Sequence, residues 1–192
     1  VVFCLTLTYV GSASLDHAAQ LKSAFVQQSS PQLPILSDGQ YRLKGGESHS
    51  YRVALTSGQY LYAVVEQQGI DVEVGLLNPD GSQLSLADSP NGRWGSEPIL
   101  LIATTSGEYR VEIKSSDSRA EAGNYQIRIE ALREATATDK QHVAAQRSFD
   151  EAQILRSKPN TTEKRTALAK YKEALPQFKA AGDSYRQALV LN

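Results

Sequence analysis

The chain has 192 residues, of which 41% are hydrophobic and 21% charged, a composition that excludes wholesale disorder and collagen-like structure. Its 20 basic and 21 acidic side chains almost cancel, so the chain lacks the excess of positive charge with which proteins bind nucleic acid. One cysteine and three histidines exclude a disulfide framework and a Cys/His zinc site. Because the chain has no methionine and its last residues have a helical pattern, we expect a fragment of a longer protein.

Residues 1–14 have the composition of a secretory signal peptide without its basic start. Residues 1–10 are apolar and uncharged, and small residues of the kind that precede a cleavage site follow them. The run is shorter than the roughly 20 residues that span a bilayer, so we predict no membrane span in the mature chain. The pattern predicts export to the periplasm, cell envelope or extracellular space; a buried strand or a truncated anchor helix are the alternatives. Residues 15–37, rich in Gln, Ser and Ala, are predicted to be mostly linker.

Residues 38–131 alternate apolar and polar side chains with a period of two. Residues 109–113 show the pattern, which is typical of strands that pack one face on a core and expose the other. Residues 60–65 and 99–103 are apolar on both faces and are predicted to be central strands. Turn motifs such as Asn78–Gly81 separate the runs. The region is therefore predicted to be a jelly-roll-like β-sandwich of about seven or eight antiparallel strands.

A Gly-x-Tyr motif opens four of the predicted strands, and each tyrosine is expected to point inward and close one end of the core. The order and spacing of these and other motifs resemble the bacterial pre-peptidase C-terminal (PPC) domain over residues 38–131. The residues that carry the resemblance are Tyr51–Tyr60, Gly69–Val72, Asn78–Gly81, Ser106–Tyr109 and Gly123–Tyr125. The resemblance implies a β-sandwich of the kind found beside secreted peptidases and in exported multidomain proteins.

Residues 132–192 change to helical periodicity. Thr138–Gln141 has the form of a capping box, which predicts the start of a helix that ends near Ser157. A second helix is predicted from Thr162 or Glu163 to Gly182, and Asp183 is expected to cap a third. The sandwich region, residues 38–131, carries 8 basic and 13 acidic side chains, whereas the helical region carries 11 basic and 7 acidic ones. Because the two net charges are opposite, the regions could face each other in a fixed orientation.

The second predicted helix resembles the second helix of a tetratricopeptide (TPR) repeat. The resemblance lies in Ala167, Tyr171, Ala174 and Leu175, followed by Gly182 and a new helix. The first helix lacks the Trp, Leu-Gly and Tyr of the TPR pattern, which indicates a capping or degenerate repeat. The resemblance implies that these residues pack paired helices together and that the repeats bind a protein partner. A PPC-like domain before TPR-like helices is also similar to exported proteins that end in a caspase-like (CHAT) peptidase domain.

No catalytic site is predicted in this chain. The histidines are expected on the surface, including His142 at a charged helix start, and no nucleophile–base motif is present. We predict no cofactor; Asp71, Asp80 and Asp88 are candidate calcium ligands, although Asp80 also fits a turn. Trp94 is expected to cover one end of the sandwich, with an exposed anchor for a glycan or protein as the alternative.

These observations favour a non-catalytic binding or scaffolding segment whose helices bind a protein. One alternative is the regulatory N-terminal part of a secreted CHAT-type peptidase. A carbohydrate- or collagen-binding module is another.

Overall fold

The computed structural model describes residues 32–191, which form eight β-strands followed by three α-helices. The strands are β1 Gly39–Leu43, β2 Ser48–Leu55, β3 Gln59–Gln68, β4 Val72–Leu77, β5 Gln83–Ala87, β6 Trp94–Ile102, β7 Gly107–Ser115 and β8 Gly123–Glu134. The helices are α1 Ala137–Arg156, α2 Thr161–Ala181 and α3 Ser184–Leu191. The predicted signal segment 1–14 and most of the predicted linker lie outside the described residues. Among residues 32–191, none of the helices combines the length and the apolar character needed to cross a membrane.

The strands form two antiparallel sheets of four, which confirms the predicted all-β sandwich. One sheet has the order β1-β8-β3-β6 and the other β2-β7-β4-β5. Their inward side chains share one apolar core: in β7, for example, Tyr109, Val111 and Ile113 are fully buried while Glu108 and Arg110 are exposed. Each large apolar side chain buried in this way contributes about 1.5–3 kcal/mol.

The outer faces of the two sheets differ, and this difference explains the strands that are apolar on both sides. In the β1-β8-β3-β6 sheet, here called the covered sheet, the outward residues Tyr60, Val64 and Pro98 are buried although they face away from the core. The helices pack on this face. The prediction that β6 is central is wrong: it is an edge strand, and its outer face is apolar because α1 contacts it. An edge position also suits Pro98, which has no backbone N–H to donate.

The other sheet, here called the solvated sheet, carries charged residues on its outer face. Tyr109, in this sheet, and Tyr125, in the covered sheet, point into the core as the Gly-x-Tyr motif predicts. Tyr60 is the exception, because it lies on the outer face of β3 beneath the helices.

The first helix begins two residues earlier than the sequence predicts. Thr136 is the N-cap, and its hydroxyl accepts from the backbone N–H of Asp139, whose carboxylate accepts from the N–H of Thr136. This reciprocal capping box uses Asp where the usual pattern has Glu or Gln, which is why the neighbouring Thr138–Gln141 match misled the prediction. The second helix ends at Gly182 in the left-handed conformation, φ 75°, and α3 follows at once.

The chain contacts the sandwich before β1 begins. The backbone of Leu36 donates to Arg52 O at 2.8 Å, and Arg52 N donates to Pro34 O at 2.9 Å. Leu36 itself is part of the core. The end of the predicted linker is therefore attached along β2. From Leu33 onward, sandwich and helices belong to one compact unit.

Candidate functional site

A chain of polar side chains connects the outer face of β3 with the start of α3. The Tyr60 hydroxyl lies 3.1 Å from His142 Nδ1, and His142 Nε2 lies 3.1 Å from Asp183 Oδ2. Asp183 also accepts from the backbone N–H of Arg186 and so caps α3. These partners fit one tautomer, in which the tyrosine donates to Nδ1 and Nε2 donates to the carboxylate.

His142 is therefore not the surface residue that the sequence predicts, because only 5% of it is exposed. A tyrosine, a histidine and an aspartate in series have the arrangement of a nucleophile, a base and an orienting group. Tyr60 does not have the properties of an activated nucleophile, however. Burial, helped by the charges of Asp139 and Tyr62, raises the pKa of its hydroxyl far above the ordinary value of 10, and the side chain is 2% exposed. The geometry fits a structural connection.

A second buried network centres on Glu97, at the start of the apolar part of β6. Its carboxylate is fully buried and accepts four hydrogen bonds, from Ser89 N and Oγ at 2.9 Å, Asn91 Nδ2 at 3.0 Å and Gln67 Nε2 at 3.2 Å. Burial raises its pKa to about 7, although these hydrogen bonds act in the opposite direction. The carboxylate thus organises the loop between β5 and β6 from the inside.

Arg186 of α3 reaches the same loop from the outside. Its guanidinium donates to Ser89 Oγ at 3.1 Å, and only 2% of the residue is exposed. Burial lowers the pKa of Arg186, and the charges of Glu97, Asp183 and Asp150 oppose that effect. One buried cation from α3 is therefore matched to carboxylates from the sandwich, from α1 and from the cap of α3. This contact agrees with the predicted attraction between the acidic sandwich and the basic helices.

Tyr185 completes the attachment of α3. Its hydroxyl is 3.0 Å from Asn91 Nδ2 and accepts from Ser96 N at 3.3 Å. Gly95 has φ 120°, and a Cβ there would lie 2.8 Å from both Asn91 Nδ2 and the Tyr185 hydroxyl. Only glycine allows this approach of the loop to the helix. We call the Tyr60–His142–Asp183 chain together with the Ser89–Glu97–Arg186–Tyr185 network the polar junction.

The TPR-like residues lie on the α1–α2 hairpin. His142 contacts Phe178, and Gln153 contacts Tyr171, so the start of α1 lies by the end of α2 and the two helices are antiparallel. Ala167 and Ala174 are buried, whereas Tyr171 and Leu175 are half-buried. The Tyr171 ring centroid is 5.7 Å from that of Phe149. Leu189 and Val190 of α3 pack on the same cluster as Phe149.

The three candidate calcium ligands do not come together. The Asp80 carboxylate accepts from Ser82 N at 2.9 Å, so it stabilises the turn. Burial raises the pKa of Asp71 and of Asp88, and the charge of Asp71 adds to the rise at Asp88. Across residues 32–191, no three His, Cys, Asp or Glu side chains are grouped so as to hold a metal ion.

Trp94 does not cover an end of the sandwich, because 65% of it is exposed. It is the first residue of β6 and pairs with Gln68 in the register of the sheet. The prediction that it is covered is wrong, and the alternative of an exposed side chain describes it correctly.

Comparison with known proteins gives structural likenesses only. No known protein family and no curated protein matches the chain. The PPC domain of a Bacillus anthracis collagenase is 17% identical, with a TM-score of 0.42, over 51% of this chain and 91% of that one. PliG, a periplasmic inhibitor of g-type lysozyme from Aeromonas hydrophila, is 14% identical, with a TM-score of 0.38, over 51% of this chain and 95% of PliG. The mitogen derived from Yersinia pseudotuberculosis is 21% identical, with a TM-score of 0.39, over 56% of this chain and 94% of the mitogen. The first of these is the kind of domain that the sequence motifs resemble. Likenesses at this level carry no information about ligand or activity.

Among the residues of the polar junction, the sequence predicts the role of Asp183 as the cap of α3, but not the hydrogen bonds between the helices and the sandwich. One signal for Glu97 was available, since a charged residue opens an otherwise apolar run, Glu97 to Ala103. No comparable signal exists for Ser89 or Arg186, because their contact joins positions 97 residues apart in the chain.

Proposed function

We propose that this chain is a non-catalytic binding and scaffolding segment of an exported bacterial multidomain protein, and that its TPR-like helices bind a protein partner. The observation that carries the proposal is the polar junction. It attaches α1 and α3 to the covered sheet through buried, directional hydrogen bonds. Helices held in this way present a surface of fixed orientation, which lowers the entropic cost of binding.

The packing of the α1–α2 hairpin supports the proposal that the helices form a TPR-like unit. Four buried alanines, Ala145 and Ala152 on α1 and Ala167 and Ala174 on α2, allow the helices to approach closely. Phe149 and Phe178 fill the space between them. Leu168 and Ile154 remain 54% and 61% exposed, and apolar side chains of this kind are available for a partner.

The absence of catalysis in the proposal follows from the state of the groups that would act. Tyr60 is buried with a raised pKa, and both nitrogens of His142 are engaged by protein partners. Tyr60 and His142 do line a cavity of about 240 Å³, but each polar atom of the pair that could exchange a proton there is already held in a hydrogen bond within the protein.

The test is affinity capture with the full chain from the cell-envelope proteins of the organism that encodes it. Leu168→Asp, on the helices, is compared with Ile35→Asp, which changes an apolar residue that is 61% exposed before β1. We expect Leu168→Asp to remove the captured partner and Ile35→Asp to retain it. Capture that survives Leu168→Asp and is lost in Ile35→Asp would place binding on the sandwich instead. Hydrolysis of peptides by the purified chain would contradict the non-catalytic part of the proposal.

A second candidate function rests on the exposure of Trp94. An indole that is 65% exposed at a strand end can stack on a sugar ring or insert into a protein groove. The candidate is a carbohydrate- or collagen-binding module. Binding of the chain to a glycan array and to collagen is measured with Trp94 and with Trp94→Ala. Signals that Trp94→Ala leaves unchanged would remove the tryptophan from the function.

A further inference from the structure

A groove follows the free edge of β5 beside α1. Two adjoining cavities of about 140 and 260 Å³ form it, and both are lined by Leu86 and Ala87 of β5 and by Gln146 and Asp150 of α1. The first continues towards Val143 and the second towards Ile154, so the groove follows α1 for about three turns. Each cavity is many times larger than the space that one water molecule needs.

One wall of the groove is the edge of β5, whose backbone N–H and C=O groups have no partner among the described strands on that side. Among residues 32–191, β5 pairs only with β4, so its other edge has no strand partner. Leu84 and Leu86 are 42% and 46% exposed, and no Lys or Pro in β5 blocks the edge. Free edges of this kind accept an extended peptide as an additional strand.

The other wall holds an acceptor that lacks a donor. Gln146 is 8% exposed and its Nε2 donates to Asp150 Oδ1 at 2.8 Å. Its Oε1 is buried, and no described residue donates to it. A buried acceptor without a donor is costly, and because Gln146 lines both cavities, a rotation of its side chain would present Oε1 to a ligand N–H in the groove.

The charge of the groove indicates the kind of peptide. Asp88 and Asp150 line the larger cavity, which has no basic side chain in its lining. Arg147 lies at the other cavity, and Arg186 acts on Asp150 from the side of α3. Burial raises the pKa of Asp150 to about 6, although the hydrogen bond from Gln146 and the charge of Arg186 act in the opposite direction. A cationic side chain next to Asp150 would supply the missing charge.

We propose that the groove between β5 and α1 binds an extended peptide segment that pairs with the edge of β5, donates a backbone N–H to Gln146 Oε1 and places a Lys or Arg beside Asp150 and Asp88. The small cavities take the apolar side chains that alternate with the basic ones. Leu168, which the proposed function uses, does not line this groove, and Ile154 is shared because it lies at the end of the larger cavity.

The probe is the end-blocked, fluorescein-labelled hexapeptide Lys-Val-Lys-Val-Thr-Val, and the protein is the full 192-residue chain. Binding is measured by fluorescence anisotropy, and the site is located by ¹⁵N–¹H chemical-shift changes. Two control peptides replace both Lys by Glu or methylate alternate backbone nitrogens. Gln146→Met removes the acceptor at similar volume, and Gln141→Met makes the same change at an exposed position of α1.

We expect saturable binding, with the largest shifts in residues 83–89 and 143–154. Affinity should fall by about three- to tenfold in Gln146→Met, the range of one hydrogen bond, and change by less than about twofold in Gln141→Met. The Glu peptide and the N-methylated peptide should bind at least about tenfold more weakly. Binding that does not saturate at millimolar peptide, shifts outside the groove, or equal affinity for the Glu peptide would each overturn the proposal. So would self-association of the chain through β5. If Gln146→Met does not fold, the N-methylated peptide decides.

Discussion

The two sheets of the sandwich share one apolar core, but their outer faces are stabilised in different ways. The outer face of the solvated sheet carries ion pairs open to water, such as Arg52–Glu108 at 3.1 Å and Lys114–Glu73 at 2.8 Å. The helices bury the outer face of the covered sheet around Tyr60 and Pro98, where the polar groups belong to the polar junction, whereas the pair Arg128–Glu66 at 3.3 Å on the same sheet stays partly exposed. Exposed pairs contribute little because water competes with them, whereas a buried group that loses its partner is costly. The solvated sheet is therefore expected to tolerate substitutions on its outer face, and the part of the covered sheet beneath the helices is not.

The largest difference is expected for two arginines. Arg186→Met removes the buried cation and leaves Glu97, Asp150 and Asp183 without it, so we expect a loss of about 3–5 kcal/mol in the free energy of unfolding. Arg110→Met makes the same change on the solvated sheet, where the pair with Glu112 at 3.3 Å is exposed, and should cost at most about 1 kcal/mol. Urea unfolding with linear extrapolation measures both. Similar losses in the two variants would contradict the contrast between the faces.

The polar junction also predicts how stability depends on pH. The pKa of Glu97 is raised from its ordinary value of 4.5 to about 7, so the folded state binds a proton that the unfolded state has already released. The contribution of Glu97 to the free energy of unfolding is therefore complete below pH 4.5. It decreases by about 3 kcal/mol as the pH rises from 4.5 to 7. Glu97→Gln should flatten the decline in unfolding free energy over this window.

The matched control for that pH series is Glu121→Gln in an exposed loop, which should keep the wild-type slope. Asp150, whose pKa is raised to about 6, acts in the same direction as Glu97 and leaves a smaller decline in the Glu97→Gln variant. A wild-type stability that rises between pH 4.5 and 7 would contradict the assignment.

A smaller effect separates two tyrosines on the same face of β3. Tyr60→Phe removes the partner of His142 Nδ1 within a buried chain and should cost about 1–3 kcal/mol. Tyr62 has no hydrogen bond to any described residue through its hydroxyl, so Tyr62→Phe should change stability by less than about 0.5 kcal/mol. Thermal or urea unfolding of the pair tests this, and equal costs would mean that the Tyr60–His142 contact contributes nothing.

The smallest effect is expected for a single exposed ion pair between two strands of the solvated sheet, Lys114–Glu73. Lys114→Met breaks the pair with Glu73 and should cost less than about 1 kcal/mol, decreasing further at high salt because exposed charges are screened. Urea midpoints at low and high ionic strength measure it. A larger cost that does not depend on salt would show that this face, too, relies on specific partners.

Local patterns in the sequence predict most of the fold, because strands and helices bury one face with a fixed period. The alternation over residues 109–113, the ends of α2 and the start of α3 all follow from such patterns. The mistake at β6 has a physical lesson. An apolar run on both faces shows that both faces are covered, and a layer of helices covers a strand as well as neighbouring strands do.

The polar junction could not be predicted in the same way. Hydrogen bonds between Tyr60 and His142, or between Ser89 and Arg186, join positions that only the folded chain brings together. The position of His142 next to charged residues suggested exposure, while its burial depends on how α1 lies against β3. The role of Gln146 could not be predicted from the sequence either, because an acceptor without a donor is recognised only from the atoms that surround it in the fold.

The strand that leads into the helices has a mechanical consequence. β8 lies between β1 and β3, and only Ala135 and Thr136 separate it from α1. A force pulling on the helices would run along β8 and load its cross-strand hydrogen bonds in shear, all at once rather than one after another. The sandwich would then resist tension that is applied through the helices.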